Sequence, residues 1–386
     1  MNILIVTPIF PPEIGGPATY VYELSQRLKK KHKITVVTFA EKVKKLEGCK
    51  VILVRLKYNF LGTVRRQFAL FKTIAKNIKQ TDIIYAQGPY VVGLVSLLVA
   101  KIFQKKIIIK FVGDLVWETA FGNRKTEKTL DNFLSDSKKS LKDKIKIKVQ
   151  KYVFHKTDKV IVPSKYLKNV LTKYYKVKDE KVEIIYNSID EKVLHAVKKS
   201  KEHIYQKIIT IGRLVKWKHI DGVIEAFYLL KDKKNVKLKI IGEGPEQEAI
   251  QSLIQNLKLE NSVECLGKLS MKETLQELIN ADLFILNSSY EGLPHTVIES
   301  MFLKVPVIAT NIPGTQELAQ NEKTALTVEV QNPKDLASKI EQILSDNQLK
   351  EKLRNKAYKY VKEKCTWETN MKKLEKVFQS IHTMIT

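Results

Sequence analysis

Cysteine and long apolar runs are both scarce in this sequence, and each shortage excludes a class of protein. The three cysteines are far apart and lack metal-ligand spacing: Cys49, Cys265 and Cys365. A disulfide scaffold and a cysteine-held metal are therefore excluded. The longest apolar run, Tyr90 to Ala100, has roughly half of the ~20 residues that a membrane-spanning helix needs. The first residues also lack the basic segment of a secretory signal, so we expect a cytoplasmic protein with full-sized cores.

Acidic residues are scarce in only one half of the chain. Residues 1–200 carry 17 acidic residues against 41 basic ones, a net charge of +24, whereas residues 201–386 carry +3. A lysine-rich genome would raise both halves, so the asymmetry predicts that the first half meets an anionic partner.

Two basic stretches in that half have the periodicity of amphipathic helices. Residues 64–79 surround an apolar stripe of Val64, Phe68, Phe71, Ala75 and Ile78. Residues 138–156 surround Leu141, Ile145, Val149 and Tyr152 in the same way. Basic amphipathic helices bind anionic lipid surfaces, whereas the alternative is that each stripe faces a sheet and the lysines are solvated. We expect peripheral attachment to the inner face of a membrane through both stretches.

Short β-rich runs alternate with helical patterns along the chain, which predicts parallel sheets built from βα units. Most of the runs are continuously apolar, as expected of strands covered on both faces. The predicted strands are Asn2–Thr7, Ile34–Phe39, Val51–Arg55, Asp82–Ala86, Lys106–Phe111, Lys159–Val162, Val182–Tyr186, Ile208–Ile211, Lys237–Ile241, Val263–Leu266, Leu283–Leu286, Pro306–Ala309 and Ala325–Val328.

These two series of strands predict an α/β fold of two doubly wound Rossmann-like domains, residues 1–186 and 187–365, followed by a helix over Thr366–Ile385. A single large sheet is the alternative. Open α/β sheets bind ligands at the carboxyl ends of their strands, so we expect the two domains to face a ligand-binding cleft.

Glycine-rich turns follow several of the predicted strands. Gly15 and Gly16, in the loop from Pro11 to Pro17, precede an amphipathic helix, where backbone N–H groups favour an anion; an ordinary tight connection is the alternative. Arg213 and Lys218 follow the first strand of the second series, where two cations fit a diphosphate; a solvated charge pair is the alternative. Gly242, after the next strand, leaves room for a ligand.

Two carboxylates stand close together later in the chain. Glu291 lies in a Gly/Pro loop after an apolar strand, and Glu299 lies about one turn into the following helix. The loop offers backbone N–H groups to a negatively charged leaving phosphate, although Glu291 could instead cap the helix.

Taken together, these elements resemble glycosyltransferase family 4, the group 1 retaining glycosyltransferases of GT-B fold. The matching elements are, in order, Gly15-Gly16, Asn187, Gly212-Arg213 with Lys218, Gly242-Glu243-Gly244, and Glu291 with Glu299 followed by Pro306-Val307-Ile308-Ala309. The resemblance covers essentially the whole chain. It implies that the C-terminal helix, residues 366–386, returns to the first domain. It also implies an enzyme that moves a sugar from a nucleotide-sugar to a hydroxyl acceptor, here a lipid-linked or cell-surface glycan precursor.

The resemblance also implies roles for individual residues. Arg213 and Lys218 would neutralise the diphosphate, assisted by the Gly15-Gly16 backbone, and Glu299 would bind the ribose hydroxyls. Glu291 and the backbone of the loop that follows it would contact the sugar and the phosphate. The remaining residues expected to bind the nucleotide-sugar are Gly242, Leu266, Lys268, Leu269, Gly292, Leu293 and Pro294.

Several positions depart from the family pattern. Val112 stands where many relatives have a histidine, so we expect Asp114 to act in its stead as a sugar ligand or base; a turn-capping role is the alternative. Gln87 replaces another frequent histidine, and His219 and Lys304 stand where glycine is usual. No Asp-x-Asp motif occurs, so we expect no metal and no other cofactor.

Two other functions are weighed against transfer. A sugar-nucleotide epimerase of the same fold would need acid and base groups at the sugar that the sequence does not display, and a phosphorylase would be longer. A basic nucleic-acid-binding protein would interleave exposed aromatics with its lysines, and no such pattern or binding module is present, so we expect no nucleic-acid partner.

Overall fold

The computed structural model describes residues 1–13, 15–39, 42–54, 62–200, 205–231 and 235–383. Three expectations extend beyond these ranges. Ile14 of the glycine loop, Arg55 of the third predicted strand and the last residues of the tail helix, 384–386, lie outside the described residues.

The first sheet has seven parallel strands in the order β3-β2-β1-β4-β5-β6-β7. The strands are β1 (Asn2–Thr7), β2 (Lys33–Thr38), β3 (Lys50–Leu53), β4 (Ile83–Gln87), β5 (Lys106–Lys110), β6 (Lys159–Val162) and β7 (Val182–Ile184). The central strands are apolar along their length and buried, because helices cover both faces of the sheet.

The second sheet has six parallel strands in the order β10-β9-β8-β11-β12-β13. The strands are β8 (Gln206–Ile211), β9 (Val236–Ile241), β10 (Val263–Gly267), β11 (Leu283–Leu286), β12 (Val307–Thr310) and β13 (Leu326–Val328). The thirteen predicted strands are all present within the described ranges, which confirms the doubly wound α/β fold and excludes a single large sheet.

Helices connect most successive parallel strands in both sheets. In the first half they are α1 (Gly16–Leu28), α2 (Gly62–Asn77), α3 (Leu94–Ile102), α4 (Leu115–Gly122), α5 (Leu130–Ser135), α6 (Leu141–Lys156) and α7 (Lys165–Lys173). In the second half they are α8 (Glu191–Ala196), α9 (Ile220–Tyr228), α10 (Gln247–Asn256), α11 (Met271–Ile279), α12 (His295–Phe302), α13 (Pro313–Gln316), α14 (Pro333–Ser345), α15 (Asn347–Lys364) and α16 (Trp367–His382).

The chain forms two compact units. The first unit comprises Met1–Ala120, Asp131–Ile185 and the chain from Lys373 onward, and the second comprises Phe121–Leu130 and Tyr186–Lys372. The end of α16 belongs to the first unit because Phe378 is buried there, edge-on to Tyr85 and His32. The segment Phe121–Leu130 was expected in the first domain, but it packs with the second unit.

The apolar stripe of α6 does not face the sheet. Leu141 and Ile145 are 75% and 53% exposed, while Gln150, Val153 and Phe154 supply the buried face of the helix. The N-cap is Ser140, whose hydroxyl accepts a hydrogen bond from the backbone N–H of Asp143, so the helix begins after the first two lysines of the predicted stretch.

The predicted stripe of α2 does not coincide with the buried face of the helix. Val64 and Phe68 are exposed, and Phe71 and Ala75 are half-buried. The helix reaches the core through Leu70 and Ile74, which are not in the stripe, and through Ile78 beyond the helix end. None of the helices that the structure describes combines the length and the apolar composition needed to cross a membrane.

Candidate functional site

The second sheet has a topological switch point between β8 and β11. Consecutive connections leave this point in opposite directions, and ligands of open α/β sheets bind in the crevice outside the carboxyl ends of such strands. Lys218 follows β8 and Glu291 follows β11, so the two residues lie on either side of the switch point.

Lys218 and Glu291 form a close ion pair at this edge. The Lys218 Nζ lies 2.5 Å from the Glu291 Oε1, and the two side chains are 17% and 12% exposed. The aliphatic part of Lys218 packs on Gly212, where a Cβ would lie 3.5 Å from its Cε. Glu291 therefore does not cap α12, which begins after Pro294 without a side-chain cap.

Glycines let the backbone of neighbouring loops approach closely at the same edge. Gly242 has a φ of +141°, and a Cβ there would lie 1.9 Å from the Gly212 carbonyl oxygen. Gly314 is equally close to Glu291, since a Cβ would lie 1.8 Å from the Glu291 carbonyl oxygen. No larger residue fits either position, so these contacts hold the ion pair between rigid turns.

The loop that carries Glu291 is anchored by buried side-chain amides. Asn187 donates from its Nδ2 to the Leu293 carbonyl at 2.8 Å, and Asn287 donates to the His219 carbonyl at 3.0 Å. The Ser289 N–H donates to the Trp217 carbonyl at 2.8 Å. Sequence reasoning noted Asn187 in the family pattern but did not identify this anchoring role.

Glu299 and Arg213 are polar groups without a side-chain partner among the described residues. Neither side chain forms a hydrogen bond or an ion pair there, although Glu299 is half-buried on α12; Arg213 is exposed. Burial raises the pKa of Glu299 to about 7. A desolvated carboxyl group without a protein partner is typical of a ligand-binding position.

The segment expected to lie under the nucleotide base, Leu266 to Leu269, begins within β10 and runs past its end. Leu266 and Leu269 are partly buried against the core, and Lys268 is exposed. The strand order places this segment, Gly242, Lys218 and Glu291 along one edge of the second sheet.

Gly15 and Gly16 lie in the first unit, at the start of α1. Pro17 occupies the first turn of this helix, and a Cβ on Gly16 would have no heavy atom within 4 Å. The backbone is therefore open at Gly16, whereas a Cβ on Gly15 would lie 2.7 Å from the Ile9 Cδ1. The contact of this loop with a diphosphate stays a prediction.

The structure corrects the catalytic role predicted for Asp114. Its side chain is 0% exposed, and its Oδ1 accepts hydrogen bonds from the backbone N–H groups of Val116 and Trp117 at 3.0 and 3.1 Å. Tyr175 donates to the other oxygen. The capping alternative therefore holds, because Oδ1 serves the start of α4, Oδ2 accepts from the Tyr175 hydroxyl, and the buried side chain offers no surface to a sugar.

A buried polar cluster in the first unit was not found by sequence reasoning. Lys110, at the end of β5, is 2% exposed, and its Nζ lies 3.4 Å from the centroid of the Tyr20 ring without a hydrogen-bond partner among the described residues. Burial lowers the pKa of Lys110 to about 7. Gln87, its register partner on β4, is also buried with an unpartnered Nε2.

Among the described residues, no group of three or more His, Cys, Asp or Glu side chains is arranged to hold a metal ion. The expectation that the protein needs no metal stays a prediction.

Comparison with known proteins identifies the family. Residues 14–193 match the family described as Glycosyltransferase Family 4, and residues 194–360 match Glycosyl transferases group 1. The chain therefore belongs to the group 1 glycosyltransferases and is a transferase.

Individual relatives extend over most of the chain. An uncharacterized glycosyltransferase of Methanocaldococcus jannaschii is 24% identical over 99% of this chain and 99% of its own. The alpha-monoglucosyldiacylglycerol synthase of Streptococcus pneumoniae is 25% identical over 83% of this chain and 74% of its own.

The fold is that of the GT-B glycosyltransferases. HepE of Anabaena, solved in complex with UDP and glucose, superposes with a TM-score of 0.77 over 98% of this chain and 99% of its own, at 16% identity.

Proposed function

We propose that the protein transfers a hexose from a nucleoside diphosphate sugar to a hydroxyl of a lipid-linked or cell-surface glycan acceptor, with retention of anomeric configuration. The observation that carries the proposal is the set of charges at the switch point of the second sheet. Lys218 is already paired with Glu291 there, while Arg213 and the half-buried Glu299 have no partner among the described residues. The complex of HepE with UDP and glucose supports a nucleoside diphosphate donor.

In this proposal the charged side chains and the loop backbones of the site bind different parts of the donor. Arg213 and Lys218 neutralise the diphosphate, and Glu299 accepts hydrogen bonds from the ribose hydroxyls. The base lies along Leu266 to Leu269, and Glu291 with the backbone of Gly292, Leu293 and Pro294 contacts the sugar and the adjacent phosphate.

The same groups favour the chemical step. Breaking the anomeric C–O bond develops positive charge on the sugar and negative charge on the leaving diphosphate. The cations and the N-terminal N–H groups of α12 stabilise the second charge without reorganising. Removal of one such preorganised donor costs roughly 100- to 1000-fold in rate.

The acceptor side rests on the surface of the first unit. α2 packs beside α3 and α3 packs beside α6. These three helices expose the apolar residues Val64, Phe68, Leu98, Ile102, Leu141, Ile145 and Tyr152, with lysines and arginines between them. This surface fits an anionic membrane, and the diacylglycerol product named for the pneumococcal relative supports a lipid-borne acceptor.

The donor assignment is tested by thermal shift against UDP-, GDP- and ADP-sugars, because a bound ligand raises stability by RT ln(1 + [L]/Kd). We expect one nucleotide to raise the melting temperature, and Arg213→Ala and Glu299→Gln to abolish both the shift and the slow hydrolysis of the donor. Lys304→Ala, on the helix end away from the proposed contacts, should retain both. A shift that survives Arg213→Ala and Glu299→Gln would place the donor elsewhere.

The absence of an Asp-x-Asp motif leaves charge neutralisation to protein cations. We therefore expect transfer to continue in the presence of EDTA. Loss of turnover with EDTA and its recovery on adding Mg²⁺ or Mn²⁺ would contradict the roles given to Arg213 and Lys218.

A further inference from the structure

Residues 121–130, here called the strap, belong to the second unit although the chain on both sides of them belongs to the first. Ala120 and Asp131 are the flanking residues of the first unit. The strap therefore packs against the second unit more than against its own neighbours in sequence, and its contacts there fall beside the loop that carries Lys218.

The main contact joins two aromatic rings. Phe121, which is 8% exposed, meets the Trp217 ring edge-on at a centroid distance of 5.8 Å. The backbone of the strap also approaches the indole, since a Cβ on Gly122 would lie 3.8 Å from the Trp217 Cζ3.

Two ion pairs flank the rings, but they are exposed. The Lys216 Nζ lies 2.9 Å from the Glu127 Oε1, and the Arg124 Nη2 lies 3.6 Å from the Glu246 Oε1. Exposed ion pairs of this kind contribute little to stability, whereas the contact of the buried Phe121 with the half-buried Trp217 contributes both buried area and a preferred geometry. The ring contact is therefore the part of the strap that fixes the loop.

Trp217 holds the loop between two supports. Its ring contacts the strap, and its carbonyl accepts the Ser289 N–H from the loop that carries Glu291. The next residue is Lys218, and the one after it, His219, has a left-handed φ of +45°. A loop that turns through such a conformation needs support from outside, and the strap supplies it on the indole side.

We propose that Phe121 and Trp217 are positioning residues, which hold Lys218 in place for the diphosphate of the donor. This inference rests on the proposed function. The strap does not touch the diphosphate in this account; it acts through the Trp217 ring on the adjacent lysine.

UDP, GDP and ADP are first compared by thermal shift on the wild type. The test then measures the affinity of each variant for the nucleoside diphosphate that gives the largest shift. We expect Phe121→Ala to weaken binding about tenfold, within the range for residues coupled through a shared contact. Phe121→Tyr keeps the ring and should restore affinity. Tyr228→Ala, which removes an exposed aromatic ring from the second unit, should bind as the wild type does.

A double-mutant cycle separates positioning from general loosening. In a Lys218→Ala background, Phe121→Ala should cause no further loss of affinity, because the group that it positions is gone. Additive losses, or wild-type affinity in Phe121→Ala, would overturn the inference and leave the proposed function intact. Absence of nucleoside diphosphate binding by the wild type would overturn both. If Phe121→Ala does not fold, Phe121→Leu replaces it in the cycle with the same expected outcome.

Discussion

Glu299 is subject to opposite demands from stability and from binding. Its burial disfavours the charged form, so the pKa of Glu299 rises from its ordinary value to about 7. Ribose hydroxyls, in contrast, donate best to an ionised carboxylate. At pH 7 about half of the Glu299 carboxyl groups are therefore ionised in the protein without donor.

The first prediction concerns the pH dependence of donor binding. Affinity for a sugar nucleotide should rise about tenfold from pH 6 to pH 8, because Glu299 loses its proton across this window. The ligand is the sugar nucleotide that gives the largest thermal shift, since each of its two phosphates carries two substituents and neither titrates in this range. Isothermal titration calorimetry measures the effect.

The control is Glu299→Gln, which should bind weakly with no pH dependence over the same range. The folded pKa of Glu299 lies above its unfolded value, so ionisation costs stability as the pH rises from about 4.5 to 7. At pH 8 the free energy of unfolding of Glu299→Gln should therefore exceed that of the wild type by on the order of 1 kcal/mol, and the variant should unfold at a higher temperature. A less stable Glu299→Gln variant would contradict the burial argument.

The second prediction concerns Lys110. Burial lowers the pKa of Lys110 from 10.5 to about 7, so the unfolded chain binds a proton that the folded chain does not between these two values. The stability of the first unit should therefore increase with pH across this window. Lys110→Met should stabilise the protein most at pH 6 and much less at pH 9.

Urea unfolding at the two pH values measures the Lys110 effect. Lys151→Met changes an exposed lysine of the same unit and should show no such pH-dependent gain. Equal stabilisation by Lys110→Met at both pH values would mean that the amine is not carrying a penalty for burial. The Tyr20 ring, which faces the Nζ, offsets part of the expected gain.

The ends of the helices carry strain that glycine would relieve. Lys258 follows α10 with a φ of +55°, and the Leu259 N–H donates to the Ile254 carbonyl at 3.0 Å in the six-to-one bond of a Schellman motif. His219 and Lys304, the two positions where glycine was noted as usual, also have positive φ.

The third prediction is that Lys258→Gly stabilises the second unit by about 1 kcal/mol, because a side chain in the left-handed conformation is removed. Differential scanning calorimetry measures the shift. The matched variant Lys356→Gly places glycine at an exposed position within α15 and should destabilise by a similar amount. Opposite signs for these two variants distinguish relief of strain from a general effect of losing a lysine.

The elements themselves were largely predictable from the sequence. Continuous apolar runs such as Leu283–Leu286 identify buried parallel strands, because each face of the sheet must be covered. The buried face of α6 was not predictable from the spacing of apolar residues, because it includes the polar Gln150. This side chain is buried with a partner, since its Nε2 donates to the Tyr175 hydroxyl at 2.9 Å. Asp114 was misassigned for the same reason, since Tyr175 lies 61 residues away and its contact depends on the tertiary fold.

The candidate site was predictable only in part. The resemblance named Lys218 and Glu291, but their pairing depends on the strand order that places β8 beside β11. The strap was not predictable, because its residues lie within the sequence of the first half. Nothing in the local pattern of Phe121 to Leu130 indicates that Trp217 is its partner.

At the scale of the whole molecule, the excess of basic residues in the first half of the chain coincides with an exposed apolar surface. The first half of the chain carries +24, and its helices α2, α3 and α6 expose apolar residues among the lysines. Lysines and arginines near an anionic membrane contribute roughly 1 kcal/mol each. Exposed apolar side chains then insert into the lipid surface to which the basic residues are attracted.

The fourth prediction is that the protein floats with vesicles of phosphatidylglycerol and phosphatidylcholine at low salt but not with phosphatidylcholine alone. Leu141→Asp combined with Ile145→Asp should reduce flotation strongly, because both side chains are exposed and neither supports the core. Leu229→Asp alters an exposed leucine of the second unit and should float as the wild type does. Wild-type flotation by the double variant would remove α6 from the proposed membrane surface.

The strap also bears on how such enzymes can be recombined. A chimera joined at residue 186, the boundary between the last strand of the first sheet and the first strand of the second, would bring residues 1–186 of one parent together with the remainder of another. It would also carry residues 121–130 from the wrong parent, so that a foreign side chain would meet the native Trp217. An exchange of donor specificity between relatives therefore requires two segments to be replaced together: residues 121–130 and the chain after residue 186.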